Sequence, residues 1–308
     1  MALKSSFLGL QAFLLLVIMF MLPSLLFSKP NGKSFDLQHL EGCHKGQKVK
    51  GVNQVKQYLE RFGYLHYNND PAHANANDDV FDDLLESAVK EYQLNHQLKP
   101  TGSLNSMTVK QMMKPRCGVP DTTRMSSGTV SHFTFFPGTP TPKWPADKRS
   151  LTYTFRSGAE VIDLQTLRPL ISRAFAKWAA VTQFTFAEAQ AGAQSDISIG
   201  FYRRAHGDGA SFDGPGPVGR ILAHAFRPTI GLFHYDADEN WSTNPTTTEI
   251  DLESIAVHEI GHLLGLGHSS IPEAIMFGSI EPGQRKRGPL QPADVQGIRT
   301  LYDLPLPI

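Results

Sequence analysis

The stretch Val257–Ser269, V-H-E-I-G-H-L-L-G-L-G-H-S, restricts this chain more than any other. His258 and His262 are i and i+4, so on a helix both imidazoles leave one face and can meet one metal ion. Glu259 follows the first of them, where a carboxylate reaches a water at the metal without binding the metal itself. Gly265 can end the helix with φ > 0, which turns the chain back and brings His268 to the same ion. Three neutral imidazoles leave one tetrahedral position open, the pattern of a catalytic zinc rather than a closed structural one. A bare H-E-x-x-H arises by chance on exposed helices. The extended H-E-x-x-H-x-x-G-x-x-H, followed by Ala274-Ile275-Met276, is far more specific.

With Met276 as its Met-turn residue, this is the metzincin signature. The chain resembles the matrix metalloproteinases, most like the plant members, from about Gly42 to Asp303. The resemblance implies a secreted, zinc-dependent endopeptidase, made as a latent proenzyme and acting on extracellular proteins or peptides. In that reading zinc sits on His258, His262 and His268, Glu259 is the general base, and Met276 floors the site. The implied fold is α+β: a metzincin-type catalytic domain, a twisted mixed sheet with three helices, after a small three-helix prodomain. That prodomain resembles the peptidoglycan-binding-like fold, which alone implies no sugar binding.

The periodicities fit. Val52, Val55, Tyr58, Leu59 and Phe62 are spaced for a helix over Gly51–Leu65. Second and third helices are predicted over Val80–Leu98 and Asn105–Met113. His66, His73 and His96 lack ligand spacing and read as surface histidines. Further on, strands are predicted at Leu151–Arg156, Phe184–Ala187, Ile197–Tyr202, Leu222–Arg227 and Gly231–Asp236. Helices are predicted at Leu164–Val181, capped by Asp163, at Glu249–Leu264 and at Pro292–Tyr302. The expected organisation is a signal peptide (1–28), the prodomain (29–121), a linker with the activation cut (122–145) and the catalytic domain (146–308).

The leader Met1–Phe27 is one positive charge followed by an apolar run, which reads as secretory; an uncleaved anchor is the alternative. The tail after Leu304 has no apolar run, so no stable membrane anchor is expected there. Lys+Arg and Asp+Glu both number 29, and a formal net charge of +0 argues against a nucleic-acid partner. Arg285-Lys286-Arg287 reads as a solvated loop.

Two readings of the 2 cysteines stand open. A secreted chain with Cys43 and Cys117 suggests one disulfide. Alternatively, Pro115-Arg116-Cys117-Gly118-Val119-Pro120-Asp121 resembles the family's cysteine switch, in which the thiolate takes the fourth zinc position. Arg116 and Asp121 would then pair and shape the loop. Latency would end through an activating protease or self-cleavage before Phe136.

His206, Asp208, His224 and His234 offer three imidazoles and a carboxylate, a closed set suited to a structural zinc, and they match the family's second zinc site. That makes two zinc ions per chain. Resemblance also assigns Asp213, Asp236 and Glu239 to at least one calcium, with backbone carbonyls from Gly214 and Gly216. Leu232 stands where a second calcium would want an aspartate, and Phe277-Gly278 replaces the family's usual Tyr-Pro. Leu222–Ala225 offers an edge strand for an extended peptide. Two rivals remain: a non-catalytic cell-wall or matrix binding module, for which Glu259 would be superfluous, and a cell-wall amidase, which should lack the third histidine at this spacing.

Overall fold

The computed structural model describes residues 36–67, 78–121, 132–157, 160–190, 192–214 and 220–305. The leader, His73 and Gly216 lie outside the described residues. No helix among the described residues is long and apolar enough to cross a membrane.

The N-terminal part holds α1 (Val52–Arg61), α2 (Asp83–Asn95) and α3 (Ser106–Met112). α2 begins later than Val80 because the Asp82 side chain accepts from Leu85 N–H and caps it there. Asn105 caps α3 in the same way, through Thr108 N–H. Val52, Val55, Leu59, Leu85, Val89, Tyr92 and Met112 close a shared apolar core. His96 joins this interior instead of facing solvent. It is 7% exposed, stacks on Tyr92 at 4.1 Å and shares a hydrogen bond with the Tyr92 carbonyl. Burial pushes its imidazole down to about 4, so it packs as a neutral ring.

A six-stranded sheet follows, in the order β1-β5-β6-β4-β2-β3. Its strands are β1 (Arg116–Cys117), β2 (Ser150–Phe155), β3 (Thr185–Glu188), β4 (Ile197–Tyr202), β5 (Ile221–Ala225) and β6 (Leu232–Asp236). Only β5 and β6 pair antiparallel, as a short connection requires; β2 and β3 run parallel and are joined through α4 (Leu164–Ala179). β7 (Trp241–Ser242) and β8 (Ile250–Asp251) form a separate short pair.

β8 explains why α5 (Leu252–Leu263) begins after the expected Glu249. Asp251 ends the strand and caps the helix by accepting from Ser254 N–H. Every residue of α5 is buried. It lies against α4, whose Leu167, Leu170, Ile171, Ala174, Phe175 and Trp178 form one buried stripe, and α6 (Pro292–Leu301) closes the body. Trp178 is fully buried and its Nε1–H donates to the Val257 carbonyl at 2.8 Å, beside the first histidine of the motif. Trp178→Ala is therefore expected to cost about 3–5 kcal/mol, read by urea unfolding; a loss below ~1 kcal/mol would show that this packing does not hold α5.

The stretch expected as a linker is partly built into the body. Gly267 N–H donates to the Thr134 carbonyl at 2.8 Å, and Phe135 bridges Leu266. Trp144 is buried and donates to the Leu263 carbonyl at 2.8 Å. Apolar side chains embedded in a Ser/Thr/Pro-rich stretch are the physical reason. Lys286 likewise differs from the expected solvated loop: its ammonium donates to the Ala274 carbonyl at 3.1 Å, and burial pushes it down to about 8.

Candidate metal centre

α5 carries His258, Glu259 and His262 on adjoining positions, and Gly265, at φ 104, turns the chain back after it. The turn brings His268 to the other two. The three Nε2 atoms then stand 3.1 to 3.2 Å apart, all buried. Each ring has its Nδ1 committed: His258 to the Ile275 carbonyl at 2.6 Å, His262 to the Leu266 carbonyl at 2.8 Å, and His268 to Asp121 Oδ1 at 2.7 Å. Carbonyl and carboxylate oxygens only accept, so each Nδ1 carries the proton and each Nε2 presents a lone pair. Three lone pairs facing one point repel unless a cation sits between them. Burial pushes the His258 and His262 imidazoles well below their ordinary range, which keeps them in the neutral form that binds metal.

Two acidic groups share this dry pocket. Cys117 Sγ is 3.4 Å from His262 Nε2, and its sulfur groups with the three histidines as a metal-ligand set. Neither oxygen of Glu259 makes a well-aligned hydrogen bond, although the side chain is fully buried, and its close polar neighbour is the Cys117 thiol. Burial raises the Glu259 carboxyl to about 8 and raises the Cys117 thiol further. A buried thiol, a buried carboxylate and three converging lone pairs fit a zinc ion, whose charge inverts those shifts. Met276 lies beneath, 2% exposed, against the open flank of Gly261.

Cys43 and Cys117 are both free. Cys43 belongs to the core of the N-terminal helices and Cys117 to the histidine cluster, so the disulfide reading is set aside. Arg116 and Asp121 do pair, at 2.5 Å, with both side chains buried. Burial disfavours the Asp121 charge, but Arg116 and the His268 N–H hold its carboxyl well below the usual range.

The segment around Cys117 does more than present sulfur. It forms β1, parallel to β5, with Gly118 N–H donating to the Ala223 carbonyl at 2.8 Å. On its other side Cys117 N–H donates to the Gly278 carbonyl at 2.9 Å and Ile280 N–H to the Pro115 carbonyl at 3.1 Å. The expected edge strand Leu222–Ala225 is thus present and already paired along a cleft walled by β5 and 278–280. Nothing in the composition of P-R-C-G-V-P-D signals a strand, so this pairing was missed.

A second cluster collects His206, Asp208, His224 and His234. Asp208 Oδ2 lies 2.8 Å from His206 Nε2, 2.7 Å from His224 Nε2 and 2.8 Å from His234 Nδ1. β5 and β6 supply His224 and His234 as cross-strand neighbours, and the loop after β4 supplies the other two. Burial opposes ionisation of Asp208, but the Ala210 N–H and the histidines hold it well below the carboxylate range.

Asp236 and Glu239 are buried, with Asp236 Oδ2 and Glu239 Oε1 lacking hydrogen-bond partners and Glu239 Oε2 meeting only an ion-pair partner. Arg220 Nη1 approaches Glu239 Oε2 at 2.9 Å as an ion pair. Burial, then the nearby Asp213 charge, raises Asp236 to about 7; burial raises Glu239 to about 8 despite Arg220.

Residues 143–303 match the Matrixin family, and residues 48–112 match a peptidoglycan binding domain family. Metalloendoproteinase 5-MMP of Arabidopsis thaliana is 45% identical over 280 residues, covering 85% of this chain and 74% of its own length. Metalloendoproteinase 1 of Glycine max is 45% identical over 272 residues, covering 85% of each chain. Human Matrilysin is 38% identical over 252 residues, covering 81% of this chain and 84% of its own. Two histidines on a buried helix and a third from the turn after it, all aimed at one point, and these matches make the chain a matrixin: a zinc metalloendopeptidase of the matrix metalloproteinase family.

Proposed function

We propose that this matrixin is secreted and latent, with Cys117 as the fourth ligand of its catalytic zinc and Glu259 as its general base. The observation that carries the reading is the Cys117 sulfur 3.4 Å from His262 Nε2, on a segment hydrogen-bonded into the cleft beside it. His258, His262 and His268 would hold the zinc, which supplies Lewis acidity toward the scissile carbonyl and its attacking water. Glu259, adjoining His258 and with the Cys117 thiol as its close polar neighbour, takes the proton from that water and returns it to the leaving amine once the thiol has left. β5 orients the substrate as an extended strand once β1 has left it. A cut in the linker before Phe136 would release that segment.

The second cluster, three imidazoles and one carboxylate, suits a closed structural zinc, giving two per chain. Asp213 and Asp236 lie near enough to Glu239 to raise its carboxyl, and Gly214 bonds Asp236; these hard oxygen ligands, with Gly216, would take one calcium. A binding module would leave Glu259 without a task.

The test is hydrolysis of casein or a quenched peptide after an organomercurial has captured the Cys117 thiol. Cleavage should follow, and a zinc chelator should abolish it. Elemental analysis should give two zinc ions per chain, one lost in His258→Ala and the other in His224→Ala. Thiol capture without any cleavage by zinc-replete protein would defeat the reading.

A further inference from the structure

Each of the three zinc-facing histidines is held from behind, but not by the same part of the chain. Ile275 and Leu266, which hold His258 and His262, belong to the body that carries the histidines. His268 is held by Asp121, four residues beyond Cys117 on the segment that fills the cleft. Asp121 is itself anchored on the N-terminal side. Tyr64 O–H donates to its Oδ2 at 2.7 Å, and Arg116 reaches Oδ1 at 2.5 Å and Oδ2 at 3.1 Å.

The approach runs past residue 278, a glycine. A Cβ there would stand 3.1 Å from Asp121 Oδ1 and 3.1 Å from His268 Nδ1, tighter than ordinary contact with both partners of this one bond. The hydrogen bond therefore passes through space that a side chain at 278 would crowd by a few tenths of an ångström.

We propose that Asp121 is a positioning residue for His268, so the latent chain grips its zinc more firmly than the chain from which this segment has been released. The inference rests on the zinc-ligand and latency reading above. A carboxylate behind a ligating imidazole fixes its tautomer and ring direction and makes the opposite nitrogen a stronger donor; removing such a partner typically weakens metal binding ~10–100-fold. Arg116 neutralises part of the Asp121 charge, so the lower end, about tenfold, is expected here. Cys117 and Asp121 then act on the metal through different atoms, one as a ligand and one through a ligand.

The test uses the full chain carrying Glu259→Gln, which prevents self-cleavage. Zn2+ affinity is titrated against a chromophoric chelator at the site that His262→Ala empties. The same chains are loaded with Co2+, whose sulfur-to-cobalt absorption reports whether Cys117 remains bound. Adding Asp121→Asn should weaken Zn2+ about tenfold while the sulfur band stays. Adding Gly278→Ala, which keeps every ionisable group but crowds the bond, should weaken it in the same direction. It also decides the matter if Asp121→Asn does not fold. Unchanged affinity in the folded variants overturns the proposal. So does a loss that comes only with loss of the sulfur band, because Asp121 would then act by holding the Cys117 loop. A zinc count unmoved by His262→Ala would instead sink the ligand reading beneath it.

Discussion

Glu259→Gln is expected to lower peptide hydrolysis by at least ~10²-fold, and up to ~10⁴-fold, the range for losing a general base. The substitution keeps size and shape but cannot accept a proton. Neither Glu259 oxygen makes a well-aligned hydrogen bond and its close polar neighbour is the Cys117 thiol, so the change disturbs little beyond that contact. Glutamine keeps the volume of this fully buried side chain, so stability should hold. The three histidines keep their own anchors, so zinc content should not change. The measurement is kcat/KM on a quenched peptide after thiol capture, with zinc counted in the same sample. Near-normal turnover by a zinc-replete variant would remove Glu259 from the mechanism.

The parts of this site that sequence reveals are those packed into one helical turn and the bend after it. His258, Glu259, His262, Gly265 and His268 span a single continuous stretch, so helical geometry alone brings them together. The second cluster is different. His206, Asp208, His224 and His234 come from two strands and a loop, and only sheet register makes them neighbours; resemblance, not spacing, identified them. Backbone pairings and anchoring bonds between distant segments left no mark. Cys117 and Asp121 were legible as chemistry, but the β1 pairing with β5 and the bond from Asp121 to His268 join residues far apart in the chain. His96 misled because its polarity suggested solvent, whereas aromatic stacking on Tyr92 and an edge contact with Phe277 give it a buried place. Lys286 misled in the same way: two flanking arginines suggested a solvated run, but carbonyls near the Met turn take its ammonium.

Cys117→Ser is expected to raise the activity of the full-length chain on the order of tenfold or more, equivalent to ~1.4 kcal/mol or more of recovered transition-state stabilisation. A thiol ionises far more readily than an alcohol and is the softer ligand, so serine competes poorly with water for the fourth zinc position. The side chain keeps its size, which isolates coordination from bulk. What the change leaves behind sets its ceiling. Cys117 N–H to the Gly278 carbonyl and Gly118 N–H to the Ala223 carbonyl are backbone bonds, indifferent to the side chain, and they keep β1 in the cleft. The Arg116–Asp121 pair also remains. Cys117→Ser should therefore fall short of a chain cut in the linker before Phe136, and the shortfall measures how much latency comes from filling the cleft. Self-cleavage, seen as a shorter band that Glu259→Gln abolishes, would show that the opened site works on its own chain. If Cys117→Ser stays as silent as the parent and yields activity only after cutting, coordination by sulfur is not what keeps the enzyme latent, and the strand pairing with β5 is.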